Sequence, residues 1–91
     1  MKTDYEYLTR RLLRANGEIH YEVDLVDPKN EMTCLTTFRA VPGGSLYRLV
    51  EERGEERHFY GLFSREDIDK VMKNLTGKFE RQDFMSRLGL K

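Results

Sequence analysis

The sequence has one cysteine, two prolines, no tryptophan and no net charge. The lone Cys34 excludes an intrachain disulfide framework and fits a reducing, cytoplasmic setting. Sixteen Lys plus Arg are offset by sixteen Asp plus Glu, so the chain lacks the basic excess that draws proteins to a phosphate backbone. No apolar run approaches the ~18 residues of a membrane-spanning helix, and no signal peptide opens the chain, so no membrane partner is expected. No glycine-rich loop follows a strand into a helix with phosphate-binding spacing, and no cofactor is expected. Asn74-Leu75-Thr76 matches a glycosylation sequon but falls in a predicted helix, and is read as helix.

What is present is globular. The 91 residues are 38% apolar and 35% charged, enough for one domain over residues 1–91 with a modest core and a heavily charged surface. The expected class is α+β: a four-stranded antiparallel meander sheet, one helix before it and two after. Thr3 and Glu6 are spaced as a capping box. Tyr5, Leu8 and Leu12 recur at helical spacing, Arg10, Arg11 and Arg14 suit a helix C-terminus, and Gly17 is a stop. These predict a helix over residues 4–15.

Residues 18–64 read as four strands. Ile19, Tyr21, Val23 and Leu25 alternate with Glu18, His20, Glu22 and Asp24, as in a half-buried strand. Asp27-Pro28-Lys29-Asn30 is turn chemistry, and a loop at 28–31 sets Tyr21 opposite Phe38. Met32, Cys34, Thr36, Phe38 and Ala40 share the next strand's apolar face, where Cys34 is read as a buried thiol. A Gly43-Gly44 turn sets Phe38 opposite Leu49, and Gly54 fits the first central position of a type II′ turn pairing Glu52 with Arg57. Ser64 then caps a helix over 65–75, with Ile68, Val71, Met72 and Leu75 on its buried side. Phe84, Met85 and Leu88 mark a second helix over 80–88, stopped by Gly89.

Those registers assign two faces. One holds Ile19, Tyr21, Val23, Leu25, Phe38, Tyr47, Leu49, Tyr60 and Leu62, enough for the core. The other is acidic on the first strand but carries Leu46, Val50, Phe59 and Phe63 on the last two, with Leu35 and Val41 beside them. Either a helix covers those side chains, or a partner does, or a bulge shifts one register. The edge of strand 57–63 has few charges to deter strand addition.

The chemistry-bearing groups do not assemble into a catalytic constellation. His20, Glu22 and Asp24 share a strand face but lack a closed ligand set, so no metal is expected. His20 falls on the face opposite Cys34, and His58 lies two strands away, so no cysteine nucleophile is formed. Arg39 and Arg48 pair across the central strands near aromatic residues, which is the alternative, a nucleic-acid-binding regulator that also draws on helix 1; the surrounding carboxylates argue against it. The expectation is a non-enzymatic protein-binding domain, its partner-binding residues Leu46, Val50, Phe59, Phe63, Arg39 and Arg48, its partner another protein or a second copy in a homodimer. Its size resembles that of phage or mobile-element accessory proteins that inhibit a host or defence enzyme, an analogy of composition alone.

Overall fold

The computed structural model describes residues 6–75 and 78–90, with side chains described for 12–75 and 79–90. The chain runs β1 (Glu6–Ala15), β2 (Glu18–Asp27), β3 (Asn30–Gly43), β4 (Leu46–Arg53), β5 (Glu56–Ser64), α1 (Arg65–Lys73), β6 (Lys78–Phe79) and α2 (Arg81–Arg87). All strands join one antiparallel sheet in the order β5-β4-β3-β2-β1-β6. Five long strands and two C-terminal helices make the protein mostly sheet.

Where the helix expected over 4–15 is described, from Glu6 to Ala15, it is instead a strand. Thr3 and Tyr5, on which its cap and stripe partly rested, lie outside the described residues. From Glu6 onward the chain pairs with β2, with Leu12 opposite Tyr21 and Arg14 opposite Ile19. The connection is a two-residue turn in which Asn16 and Gly17 both hold positive φ, 54° and 77°. That is type I′ geometry, matched to the right-handed strand twist, and it folds the chain back where a helix stop would have released it.

The other registers shift as well. Asp27 accepts a hydrogen bond from the Lys29 backbone N–H at 2.9 Å, closing a turn of only two residues, Pro28 and Lys29. Tyr21 then faces Ala40, and Val23 faces Phe38. The next turn is Gly44-Ser45, since Gly43 pairs with Leu46, and Gly44 alone of the two glycines has positive φ. This sets Phe38 opposite Glu51 and Ala40 opposite Leu49. Each shift is two residues, and side chains alternate with period two, so both strands keep their expected faces. The Gly54 turn has the expected register, with Glu52 opposite Arg57.

A bulge changes the end of β5. Val50 pairs with Phe59, but Leu49 pairs with Gly61, and Gly61 has φ 120°. The extra residue reverses the alternation. Phe63 comes opposite Tyr47 and packs against the core, while Leu62 comes opposite Arg48 and is exposed. The expected places of Leu62 and Phe63 are thereby exchanged.

Both helices pack on one face of the sheet. Tyr21, Val23, Leu25, Phe38, Ala40, Tyr47 and Leu49 meet Ile68 and Met72 of α1 and Phe84 and Met85 of α2. The Phe38 and Phe84 rings meet edge to face, 4.7 Å between centroids. Ser64 caps α1 by accepting from the Asp67 N–H at 3.1 Å. The far end of the β2–β3 hairpin escapes this cover. There a bulge opposite Val26 disturbs the ladder, and Met32 and Cys34 are exposed, so the thiol read as buried is a surface group.

Candidate functional site

The covered face is fastened by polar contacts as well as apolar ones. Tyr47 and Leu49 point inward on β4, and alternation carries Glu51 inward after them, where it is buried. Arg81, at the start of α2, clamps it bidentately: Nε donates to Oε2 at 2.7 Å and Nη2 to Oε1 at 2.6 Å. The Tyr60 hydroxyl donates to Oε1 at 2.6 Å, and the Thr36 hydroxyl lies 2.8 Å from Oε2. Burial pushes the Glu51 carboxyl up, but the hydrogen bonds from Arg81, Tyr60 and Thr36 more than reverse this and hold it at about 2. Burial, and then the neighbouring carboxylate, raises the Tyr60 hydroxyl. Arg81, Tyr60 and Thr36 converge on the two Glu51 oxygens, so the group anchors α2 to the sheet. On α1, Asp69 accepts from the Tyr21 hydroxyl at 2.6 Å, and Arg65 donates to Glu18 at 2.6 Å and to the Gly44 carbonyl at 2.7 Å. A recess of about 260 Å³ beside Glu51 is lined by Arg53, Glu56, Arg57, His58, Tyr60 and Arg81; Tyr60 and Arg81 are engaged in the contacts above and Arg57 in a pair with Glu52.

The opposite face carries no helix among the described residues. Its side chains stand in three rows across β3, β4 and β5: Val41, Arg48 and Leu62; then Arg39, Val50 and Phe59; then Thr37, Glu52 and Arg57. Phe59 is 52% exposed and Leu62 58%, and Arg48 lies over the Phe59 ring at 5.5 Å. Val50 and Leu46 are half-buried beside them. The third side of the patch is a charge ladder. Glu22 on β2 pairs with Arg39, Arg39 Nε donates to Glu52 at 3.0 Å, and Arg57 pairs with Glu52 at 3.3 Å. The hydrogen bond to Glu52, with the charges of Glu22, Glu52 and Asp24, raises the Arg39 guanidinium.

No family model, curated protein or solved structure matches this chain.

Of the six residues singled out from sequence, five share the open face: Leu46, Val50, Phe59, Arg39 and Arg48. Phe63 does not, because the Gly61 bulge turns it to the covered side, and Leu62 takes its place in the patch. The two candidate chemical groupings are not assembled. Glu22 is committed to Arg39, and Asp24 accepts from Thr37 at 2.8 Å. Among the described residues no group of three His, Cys, Asp or Glu could hold a metal ion. Cys34 Sγ lies 3.4 Å from the Thr36 carbonyl oxygen and 3.4 Å from the Thr37 hydroxyl. No helix is long and apolar enough to cross a membrane. The Glu51–Arg81 clamp was missed, although the alternation Tyr47, Leu49, Glu51 already placed a carboxylate on the core face.

Proposed function

We propose that the chain is a small non-enzymatic binding domain that engages another protein through the sheet face its helices leave uncovered. The observation that carries this reading is the pair Phe59 and Leu62, each more than half exposed and neighbours along β5 on a face that no helix among the described residues covers. An apolar centre rimmed by paired charges is the composition of a protein interface. Arg48, its guanidinium 5.5 Å from the Phe59 ring centroid, favours the same reading, since arginine and aromatic side chains are enriched among binding hot spots. The same pair also supports the second reading, a single-stranded nucleic acid stacking on Phe59 with phosphates on Arg48. The carboxylates Glu22, Asp24 and Glu52 on that face oppose a polyanion. Inhibition of a larger enzyme is one form such binding takes, and it rests on size alone.

Capture from a native lysate on the immobilised protein tests the reading, with nuclease-treated lysate in parallel. A protein retained in both, and lost with Phe59→Glu, supports it. Retention only without nuclease moves the assignment to nucleic acid.

A further inference from the structure

We infer that the cleft between α1 and α2 is a binding site for a small apolar monocarboxylate, of the kind a medium-chain fatty acid represents. The inference concerns the helical side of the molecule and does not rest on the open face.

The cleft measures about 570 Å³, within the range of small-molecule sites, and lies where α1, the end of α2 and Phe63 meet. Helical spacing explains its wall. Ile68 and Met72 turn one side of α1 into the core, and Asp67, Lys70, Val71 and Asn74 fall together on the adjoining flank. At ~1.5 Å rise per residue that flank runs roughly 10 Å. The Gly61 bulge supplies the floor, because it turns Phe63 to this side of the sheet. Phe63, Val71 and Leu88 pack against the core yet are only half-buried, so each keeps an accessible apolar surface at the cleft.

The rim decides the sign of the ligand. Arg39, Arg57, Arg65 and Arg81 each pair with a glutamate. Lys70 and Arg87, which border the cleft, have no carboxylate within ion-pair distance among the described residues. The Arg87 guanidinium lies 4.1 Å from the Phe79 ring centroid, a contact that positions the charge without neutralising it. Asp67 is the one carboxylate among the described lining residues. Two cations against one carboxylate leave a single positive charge, which a monoanion matches. Its apolar chain would cover Phe63, Val71 and Leu88 while its carboxylate meets Lys70 and Arg87. A flank of this length takes only about three residues of extended peptide, which favours a free acid over a peptide terminus.

Octanoate titrated into the full chain, with octanol as the uncharged probe and amide NMR shifts as the readout, tests this. Shifts are expected at Phe63, Val71 and Leu88, with octanol binding more weakly. Lys70→Gln combined with Arg87→Gln should raise the octanoate Kd roughly tenfold, and Asp67→Asn should lower it roughly threefold. All three side chains are exposed, so unchanged circular dichroism is expected in these variants. Opposite changes from the two kinds of variant are what an anion site requires and a purely apolar cleft does not give. Equal affinity for octanoate and octanol, or a Kd indifferent to the charge variants, overturns the anion. Shifts confined to Phe59 and Leu62 overturn the location, and no shift at millimolar octanoate overturns the site. An acetylated tripeptide ending in leucine that binds where octanoate does not gives the cleft to a protein terminus and overturns the free acid.

Discussion

Replacing Arg81 with alanine isolates the force that holds α2 to the sheet. Glu51 is buried, and its carboxyl falls from 4.5 to about 2 on folding. At ~1.4 kcal/mol per pKa unit the full shift corresponds to about 3 kcal/mol. Arg81 is one-third exposed, so water screens part of the pair and about 2 kcal/mol is the better figure. The substitution also strands a carboxylate in the interior and removes the guanidinium 5.9 Å from the Phe38 ring. We expect a loss of about 3 kcal/mol at pH 7 in urea denaturation followed by circular dichroism. The pH dependence carries the sharper signature. A depressed folded-state pKa contributes stability above the unfolded value near 4.5, and that stability disappears as pH falls through about 2. The wild type therefore loses the Glu51 contribution between roughly pH 5 and pH 2. In Arg81→Ala the depression shrinks, so the two stability curves converge on acidification. Glu51→Gln combined with Arg81→Ala should recover part of the loss, because no buried charge remains. Curves that stay parallel from pH 7 to pH 2.5 would refute the clamp.

The turn and bulge assignments are open to equally direct tests. Gly44→Val should lower stability by about 1–3 kcal/mol in urea melts, because its φ is 65°, whereas Gly43→Val should cost far less; equal losses would contradict the Gly44-Ser45 turn. Gly61→Val, at φ 120°, should cost a similar amount and expose Phe63, read as increased dye binding by hydrophobic surface; an unchanged melt would contradict the bulge. Cys34 should react with a thiol reagent in the native protein at a rate close to that of the unfolded chain, and strong protection would contradict its surface position.

Much of this architecture can be read from the residues. The strand alternation of Ile19 to Leu25, the Gly54 turn, the Ser64 cap and the helical spacing of Ile68 and Met72 all rest on local rules that the tertiary structure obeys. The errors sit where two local rules compete. Residues 6–15 lack clean alternation and are rich in helix formers, so the spacing of Leu8 and Leu12 favoured a helix. The overriding signal is Asn16-Gly17, the strongest short hairpin dipeptide; Gly17 taken alone reads equally as a helix stop. Pairing along the whole of β2 then outweighs intrinsic propensity. The bulge at Gly61 has a weaker signature, a lone glycine inside a strand pattern. It decides which of Leu62 and Phe63 reaches the open face. The clamp at Glu51 needed the third dimension, since Arg81 is thirty residues away in sequence.

The central claim is that one sheet face is core and the other is the working surface. The double variant Phe59→Glu, Leu62→Glu tests it most directly, with thermal unfolding and binding measured on the same preparation. The account predicts a melting temperature within a few degrees of wild type, since neither side chain is buried in the isolated fold, together with loss of partner capture. A variant that unfolds would show that the face is core. A variant that folds and binds as the wild type does would show that binding lies elsewhere.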